Sequence, residues 1–343
     1  MVISNFKRSL APMLLAAFSM LVIGQAQGSS GPLTPVKYQI ASIPGGIDAP
    51  VYLAKMRGLY EKEGLDVQIV PGRTSQDTIN SLIAGAATLG SSLGINVILS
   101  ADKGQRVVAV GARYGKNVFG VVVGKDSNIH TIGDLTKRNI IVPGASYENV
   151  LKMVLKKNGV NPASNHYIMV PNPGAMVSSY ASGQSDGAVT VVPWALPRVD
   201  AKRASRGLLF ADFGVPEPGY VYIATPETLK NHPDIVRKFL HATYEASRLL
   251  HADPKLAGEA TVKFVPGADA ATSIAQFKAA VPFECSDAEK GKPYGPQSLS
   301  DWEETVRIYK ELGLVTTDVN PASLFSNAAF EQSPEVSVEK CPA

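Results

Sequence analysis

Several short stretches combine glycine, hydroxyl, charged or aromatic residues in ways that could hold a small molecule. Gly45-Gly46 with Asp48 offers open backbone amides beside a carboxylate. Adjacent glycines let a backbone approach a ligand closely, and they equally suit a plain turn. Asp48 precedes Ala49-Pro50, so it can cap a helix or accept from a donor-bearing ligand. Ser91-Ser92, and Gly144 with Ser146 and Tyr147, each stand just before a run that reads as a helix. Hydroxyls and free N–H groups at the positive end of a helix favour a carboxylate, a sulfonate or a similar group. Thr190 and Trp194 follow the same logic at a later strand end. The Trp194 indole could stack on a planar ligand or sit in a core. Arg73 and Arg113 could grip an anion with their planar forks, although most arginines of this kind face solvent. Tyr52, Tyr114 and Phe119 could serve as walls or as core.

Other chemistries find no footing. His130, His166, His232, His241 and His251 are scattered, with no metal-ligand spacing. Gly111-Ala112-Arg113-Tyr114-Gly115-Lys116 is one residue too short between its glycines for a phosphate loop. It also has Asn117 where a hydroxyl is required. No Gly-x-Ser-x-Gly elbow occurs. Without a nucleophile–base pair, a binding protein is expected rather than an enzyme, with no cofactor and no metal.

The elements that must position these residues alternate. Residues 36–41, 66–70, 88–91 and 106–111 read as strands, and helical periodicity lies between them. Pro50 marks one helix start, with Gly64 past its end, and Thr74-Ser75-Gln76-Asp77 has the form of a capping box. A second block, 118–211, repeats the alternation. After residues 220–224 the chain turns mostly helical. Strands alternating with helices give an α/β class with parallel pairing. Lobe 1 is expected over 36–122 plus 225–343, and lobe 2 over 123–224. Extended crossings near Lys125 and Ala224 would form a hinge. In open α/β sheets ligands sit beyond the carboxyl ends of the strands, which is why the loops above are the candidates.

The N-terminus carries Lys7-Arg8, an uncharged apolar run from Ser9 to Ile23, then Gly24, Ala26 and Gly28. These are the parts of a secretory signal, and the run is shorter than the roughly 20 residues that span a bilayer. Residues 1–28 are therefore expected to be an export signal, cleaved after Ala26 or Gly28. No cysteine follows for lipid attachment, so a free periplasmic monomer is expected. The net charge of +3 falls to about +1 on losing Lys7 and Arg8, which argues against a nucleic-acid partner. Cys285 and Cys341 are the two cysteines, and in an exported protein they read as one disulfide.

Residues 49–55 (APVYLAK) with 58–67 (GLYEKEGLDV) resemble the opening of solute-binding proteins of ABC transporters. The group is that of sulfonate, nitrate and thiamine-precursor binders, the NMT1/THI5-like proteins. Residues 83–90 (IAGAATLG), 125–127 with 132–135, and 183–188 (GQSDGA) follow in the same order. The resemblance covers roughly residues 36–260. It implies a two-lobed periplasmic-binding-protein fold of type II, each lobe a mostly parallel sheet flanked by helices. It also implies a small organic solute held between the lobes, with an ABC permease and its ATPase as partners. The solute would be a sulfonate, a carboxylate or an aromatic or heterocyclic compound. A binding protein that feeds a membrane sensor, or an exported enzyme on the same scaffold, is the alternative. The pyrimidine synthases of the group carry a cysteine-rich motif that is absent here, and the aspartate at position 48 departs from the histidine common near that place in pyrimidine binders.

Overall fold

The computed structural model describes residues 1–2, 31–41, 43–215 and 218–343, and leaves out the side chain of Ser146. Residues 3–28 of the expected export signal, with both of its cleavage positions, lie outside the described residues. Among the described residues, no helix is long and apolar enough to cross a membrane.

The first half of the chain alternates as expected. It runs β1 (Thr34–Gln39), α1 (Ala49–Met56), α2 (Leu59–Lys62), β2 (Leu65–Val70), α3 (Ser75–Ile83), β3 (Leu89–Leu93), α4 (Gly94–Asp102) and β4 (Val108–Ala112). Pro50 sits in the first turn of α1, where its missing N–H costs nothing. Thr74 caps α3 by accepting from the Asp77 amide at 3.1 Å. Then come β5 (Phe119–Gly124), β6 (Asn139–Val142), α5 (Ala145–Lys157), β7 (His166–Met169), α6 (Pro173–Ala181), β8 (Gly187–Val191), α7 (Val192–Asp200) and β9 (Ser205–Leu209). After β10 (Tyr220–Ala224) the chain is helical: α8 (Pro226–Asn231), α9 (Pro233–Ala252), α10 (Lys255–Phe264), α11 (Ala270–Ala280), α12 (Leu299–Glu311) and α13 (Ala328–Gln332).

Two five-stranded sheets result, in the orders β2-β1-β3-β10-β4 and β7-β6-β8-β5-β9. Both are mixed, with four of the five strands pointing the same way, as expected, and the fifth running against them. β1 runs parallel to β2 and β3, and β6 runs parallel to β7 and β8. β10 and β5 run antiparallel to both of their neighbours. The cause is the direction of entry. Strands followed by helices end near the junction of the two sheets, whereas β5 and β10 arrive from the other sheet and begin there. Thus Tyr220 opens β10 opposite Leu93, the last residue of β3.

Strand membership also moves the crossings from the expected cuts at 122/123 and 224/225. β5 already belongs to the second sheet, and β10 still belongs to the first. The chain therefore crosses after Ala112 and returns before Tyr220. The crossings lie side by side. The Gly219 amide donates to the Tyr114 carbonyl at 2.9 Å, and Asn117 Nδ2 donates to the Val215 carbonyl at 2.9 Å. A Cβ on Gly219 would overlap the Lys116 carbonyl.

β10 shows how the core is shared. Val221 and Ile223 face one buried cluster, which continues to the second sheet. Tyr222 and Ala224 face another, formed with Tyr38, Tyr60, Phe239 and Tyr244 under α9. Such alternation is the period of a strand. At the C-terminal end Cys285 and Cys341 form the expected disulfide, with a Cα–Cα distance of 5.8 Å. Beside it His251 of α9 meets Glu339 through Nδ1 at 2.7 Å and Glu284 through Nε2 at 2.9 Å. Burial opposes charge on that imidazole, but the two carboxylates outweigh it and raise its pKa to about 9.

Candidate functional site

The turn at Gly45–Asp48 sits where the two sheet units meet. It packs on α11, and α11 in turn packs on α7 of the second unit. The Gly46 amide donates to Gln276 Oε1 at 2.8 Å, and Gln276 Nε2 donates to the Trp194 carbonyl at 2.5 Å. One side chain of α11 thus joins the turn to α7. Both glycines are required by close approach. A Cβ on Gly46 would overlap the Ser273 carbonyl, and one on Gly45 would lie 3.1 Å from the Trp194 ring.

Asp48 is committed within the protein. Its Oδ2 accepts from the Gly45 amide at 3.0 Å, and its Oδ1 pairs with Arg113 Nη1 at 2.8 Å. Both side chains of the ion pair are 3% exposed. Arg113 Nη2 and the Tyr114 hydroxyl also donate to the Ile47 carbonyl. Burial pushes the Asp48 carboxyl up against the pull of Arg113. For Arg113, burial works against the charge, but Asp48 and the surrounding phenols prevail and raise its pKa.

Around this pair stand buried donors that meet no partner in hydrogen-bond geometry: Tyr52 Oη, Arg113 Nε and Trp194 Nε1. Burial pushes the Tyr38 phenol up to about 12 and raises Tyr52 further, so both keep their protons at neutral pH. Arg198 lies with its Cζ 4.1 Å from the centroid of the Trp194 ring and donates to the Trp194 carbonyl at 2.8 Å. Burial lowers its pKa to about 10.

The remaining candidates are placed differently. Ser91 and Ser92 are fully buried in β3, and Ser91 Oγ accepts from the Ala41 amide at 3.0 Å. The first amide of α4, on Gly94, is taken by the Gly219 carbonyl at 2.8 Å. The returning crossing therefore covers that helix end. Gly144, at φ 114°, precedes α5. Tyr147, in its first turn, packs edge-on against Phe119 at 5.3 Å, and burial pushes its phenol up to about 12. The Ser146 hydroxyl lies outside the described residues. Thr190 is buried in β8 opposite Gly120. Arg73 is exposed and pairs with Asp77 at 3.5 Å, so it does not reach the junction. A hollow of about 540 Å³ lined by Lys37, Lys55 and Asp66 opens at the start of β1 and β2, far from this junction. Its Lys55 is already matched by Glu61 and Asp66.

Two residues of the junction were not singled out from sequence. Gln276 lies on the buried stripe of α11 with Ser273, Phe277 and Ala280. A glutamine at an otherwise apolar period is a readable signal, because a buried amide needs partners. Arg198 stands four residues after Trp194, the spacing that brings side chains together on a helix.

A model of the NMT1/THI5-like family matches residues 48–257, the span from Asp48 through α7 into α10. The chain belongs to that family. The family chain is 18% identical to the periplasmic aliphatic sulphonate-binding protein SsuA from Escherichia coli. The two structures align with a TM-score of 0.68, covering 85% of this chain and 97% of that one. Its fold is thus that of the periplasmic binding proteins. It is 24% identical over 285 residues to the formylaminopyrimidine-binding protein of Halalkalibacterium halodurans, covering 80% of this chain and 84% of that protein. It is 21% identical over 300 residues to the 4-amino-5-hydroxymethyl-2-methylpyrimidine phosphate synthase of Schizosaccharomyces pombe, covering 83% and 84%. This last relative corrects the expectation that the chain lies outside enzyme chemistry. A named synthase aligns over most of its length, so the missing cysteine motif does not separate the chain from the enzymes of its family.

Proposed function

We propose that this chain captures a small organic solute between two lobes and presents the closed form to an ABC permease and its ATPase. Lobe 1 is the first sheet with the C-terminal helices, and lobe 2 is the second sheet with α5 to α7. Residues 1–28 serve as the export signal that delivers the chain to the periplasm. The solute is a sulfonate, a carboxylate or an aromatic or heterocyclic compound. Gly45, Gly46, Asp48, Gly144, Ser146, Tyr147, Thr190 and Trp194 border or shape its site.

The observation that carries the reading is the bridge from Gly46 through Gln276 to Trp194. It links the two units beside the pair of adjacent crossings and the α11–α7 packing, and two units tied by adjacent crossings suit hinge closure around a ligand. Closure would be a population shift driven by tighter ligand binding to the closed state.

The test is a thermal-shift screen of the mature protein against sulfonates, nitrate, aromatic carboxylates, pyrimidines and flavins, with small-angle scattering on any hit. A ligand that binds the folded state raises Tm by linkage, and lobe closure reduces the radius of gyration. A hit that leaves the radius unchanged, or a screen without hits, counts against the proposal.

A further inference from the structure

Two ligand chemistries compete for a site next to Asp48. A free carboxylate would call for a ligand rich in donors. A set of free donors would call for acceptors and negative charge. The hydrogen bonds at the junction choose between them. Asp48 spends one oxygen on Arg113 and the other on the Gly45 amide. Unpartnered buried groups remain at Trp194 Nε1, Arg113 Nε and Tyr52 Oη. Tryptophan and arginine nitrogens can only donate. A buried donor left unmatched is costly, and a ligand acceptor would relieve that cost.

The charges point the same way. Asp48 and Arg113 cancel each other. Arg198 stands over Trp194 with no carboxylate within 4.0 Å among the described residues. Burial depresses its pKa to about 10, and Asp48, already paired with Arg113, offsets this only in part. The site therefore holds one uncompensated positive charge. One negative charge matches it, whereas a second would be buried unpaired. The guanidinium carbon lies over the indole, 4.1 Å from its centroid, and two planar groups so placed favour a flat partner.

We propose that this site takes a planar organic monoanion, an aromatic or heteroaromatic acid, with its acidic group on Arg198 and its ring along Trp194 and Arg198. The proposal rests on the reading of the junction as a capture site. Arg198 is then the residue that sets charge specificity.

The experiment is calorimetric titration of the mature protein with matched pairs: benzoate and benzamide, nicotinate and nicotinamide. Benzenesulfonate separates a sulfonate from a carboxylate head. Ethanesulfonate and inorganic phosphate test the need for a ring and for a single charge. At least one aromatic acid should bind, with its amide at least tenfold weaker. Arg198→Gln should weaken that acid by roughly ten- to hundredfold, the range of a charge-assisted hydrogen bond, and should weaken the amide far less, so that the acid-to-amide ratio falls. Arg198→Lys should recover part of the preference. This acid-to-amide ratio would not move if Arg198 were merely structural, and the unliganded Tm of each variant reports its folding. Equal binding of acid and amide, unchanged acid affinity in Arg198→Gln, preference for the ring-free anions, or no binding of any acid each overturns the proposal. If a pyrimidine or flavin binds and compacts the protein while no acid does, capture stands and the monoanion falls. If nothing binds, both fall.

Discussion

The sharpest test of the junction is to remove the charge from Asp48. In Asp48→Asn the side chain keeps an oxygen for the Gly45 amide, but Arg113 loses its counter-ion while 3% exposed. Breaking a buried ion pair from one side costs about 3–5 kcal/mol, because the remaining charge stays buried and unpaired. Replacing both partners by uncharged groups of similar size is close to neutral. Asp48→Asn alone should therefore lower stability by about 3–5 kcal/mol, and the double variant Asp48→Asn with Arg113→Met should recover most of that loss. Arg113 also holds the Ile47 carbonyl, so the recovery should fall short by about 1 kcal/mol, the net value of an ordinary hydrogen bond. Urea denaturation at pH 7 of the mature protein, of Asp48→Asn, of Arg113→Met and of the double variant, followed by both fluorescence and circular dichroism, gives the four free energies by linear extrapolation. The coupling energy between the sites should exceed about 2 kcal/mol. A single-variant cost below about 1 kcal/mol, or simple additivity, would mean that water reaches Arg113 and that the pair is not buried as a unit.

Three further outcomes follow from other contacts. His251 has a folded-state pKa near 9, above its ordinary 6.5. Its contribution is therefore complete below about pH 6.5 and is lost as pH rises through 9. Tm measured across that window should fall, and His251→Gln should flatten the fall; an unchanged slope would assign the effect elsewhere. Cys285→Ser opens a loop of 56 residues, which should cost about 4 kcal/mol in the chain-entropy model, read as a lower urea midpoint than in the oxidised parent. Gly219→Ala drives a methyl into the Lys116 carbonyl and should spread the two crossings. Small-angle scattering of the unliganded variant should show a larger radius of gyration, and an unchanged radius would show that the crossings yield elsewhere.

What could be read from the sequence was whatever local chemistry decides. The cap at Thr74, the proline opening α1 and the four long helices after Pro233 were all legible, because their signals lie within one turn of their effects. The same holds for the disulfide, which needed only a count and an expected compartment. The antiparallel entry of β5 and β10 was not legible. Residues 220–224 (YVYIA) read as a strand under any topology, and its partners Leu89–Leu93 and Val108–Ala112 lie more than a hundred residues away. Counting that strand with the second block put the return crossing after Ala224 rather than before Tyr220.

The ligand question shows the same limit more sharply. Taken alone, Asp48 argues for a donor-bearing ligand, while helix ends near Ser91 and Gly144 argue for an anion, and sequence cannot rank them. Two long-range contacts bear on the choice. The pairing of Asp48 with Arg113 withdraws the carboxylate from ligand recognition. The seating of Gly219 on the first amide of α4 withdraws the helix end beyond Ser91–Ser92. The anion preference then rests on a different residue, Arg198, which forms no ion pair of its own and feels Asp48 only as a carboxylate already paired with Arg113. Its interest lies in what surrounds it, since an arginine four residues after a tryptophan is unremarkable until it lies half-buried over a buried indole, beside donors that lack acceptors.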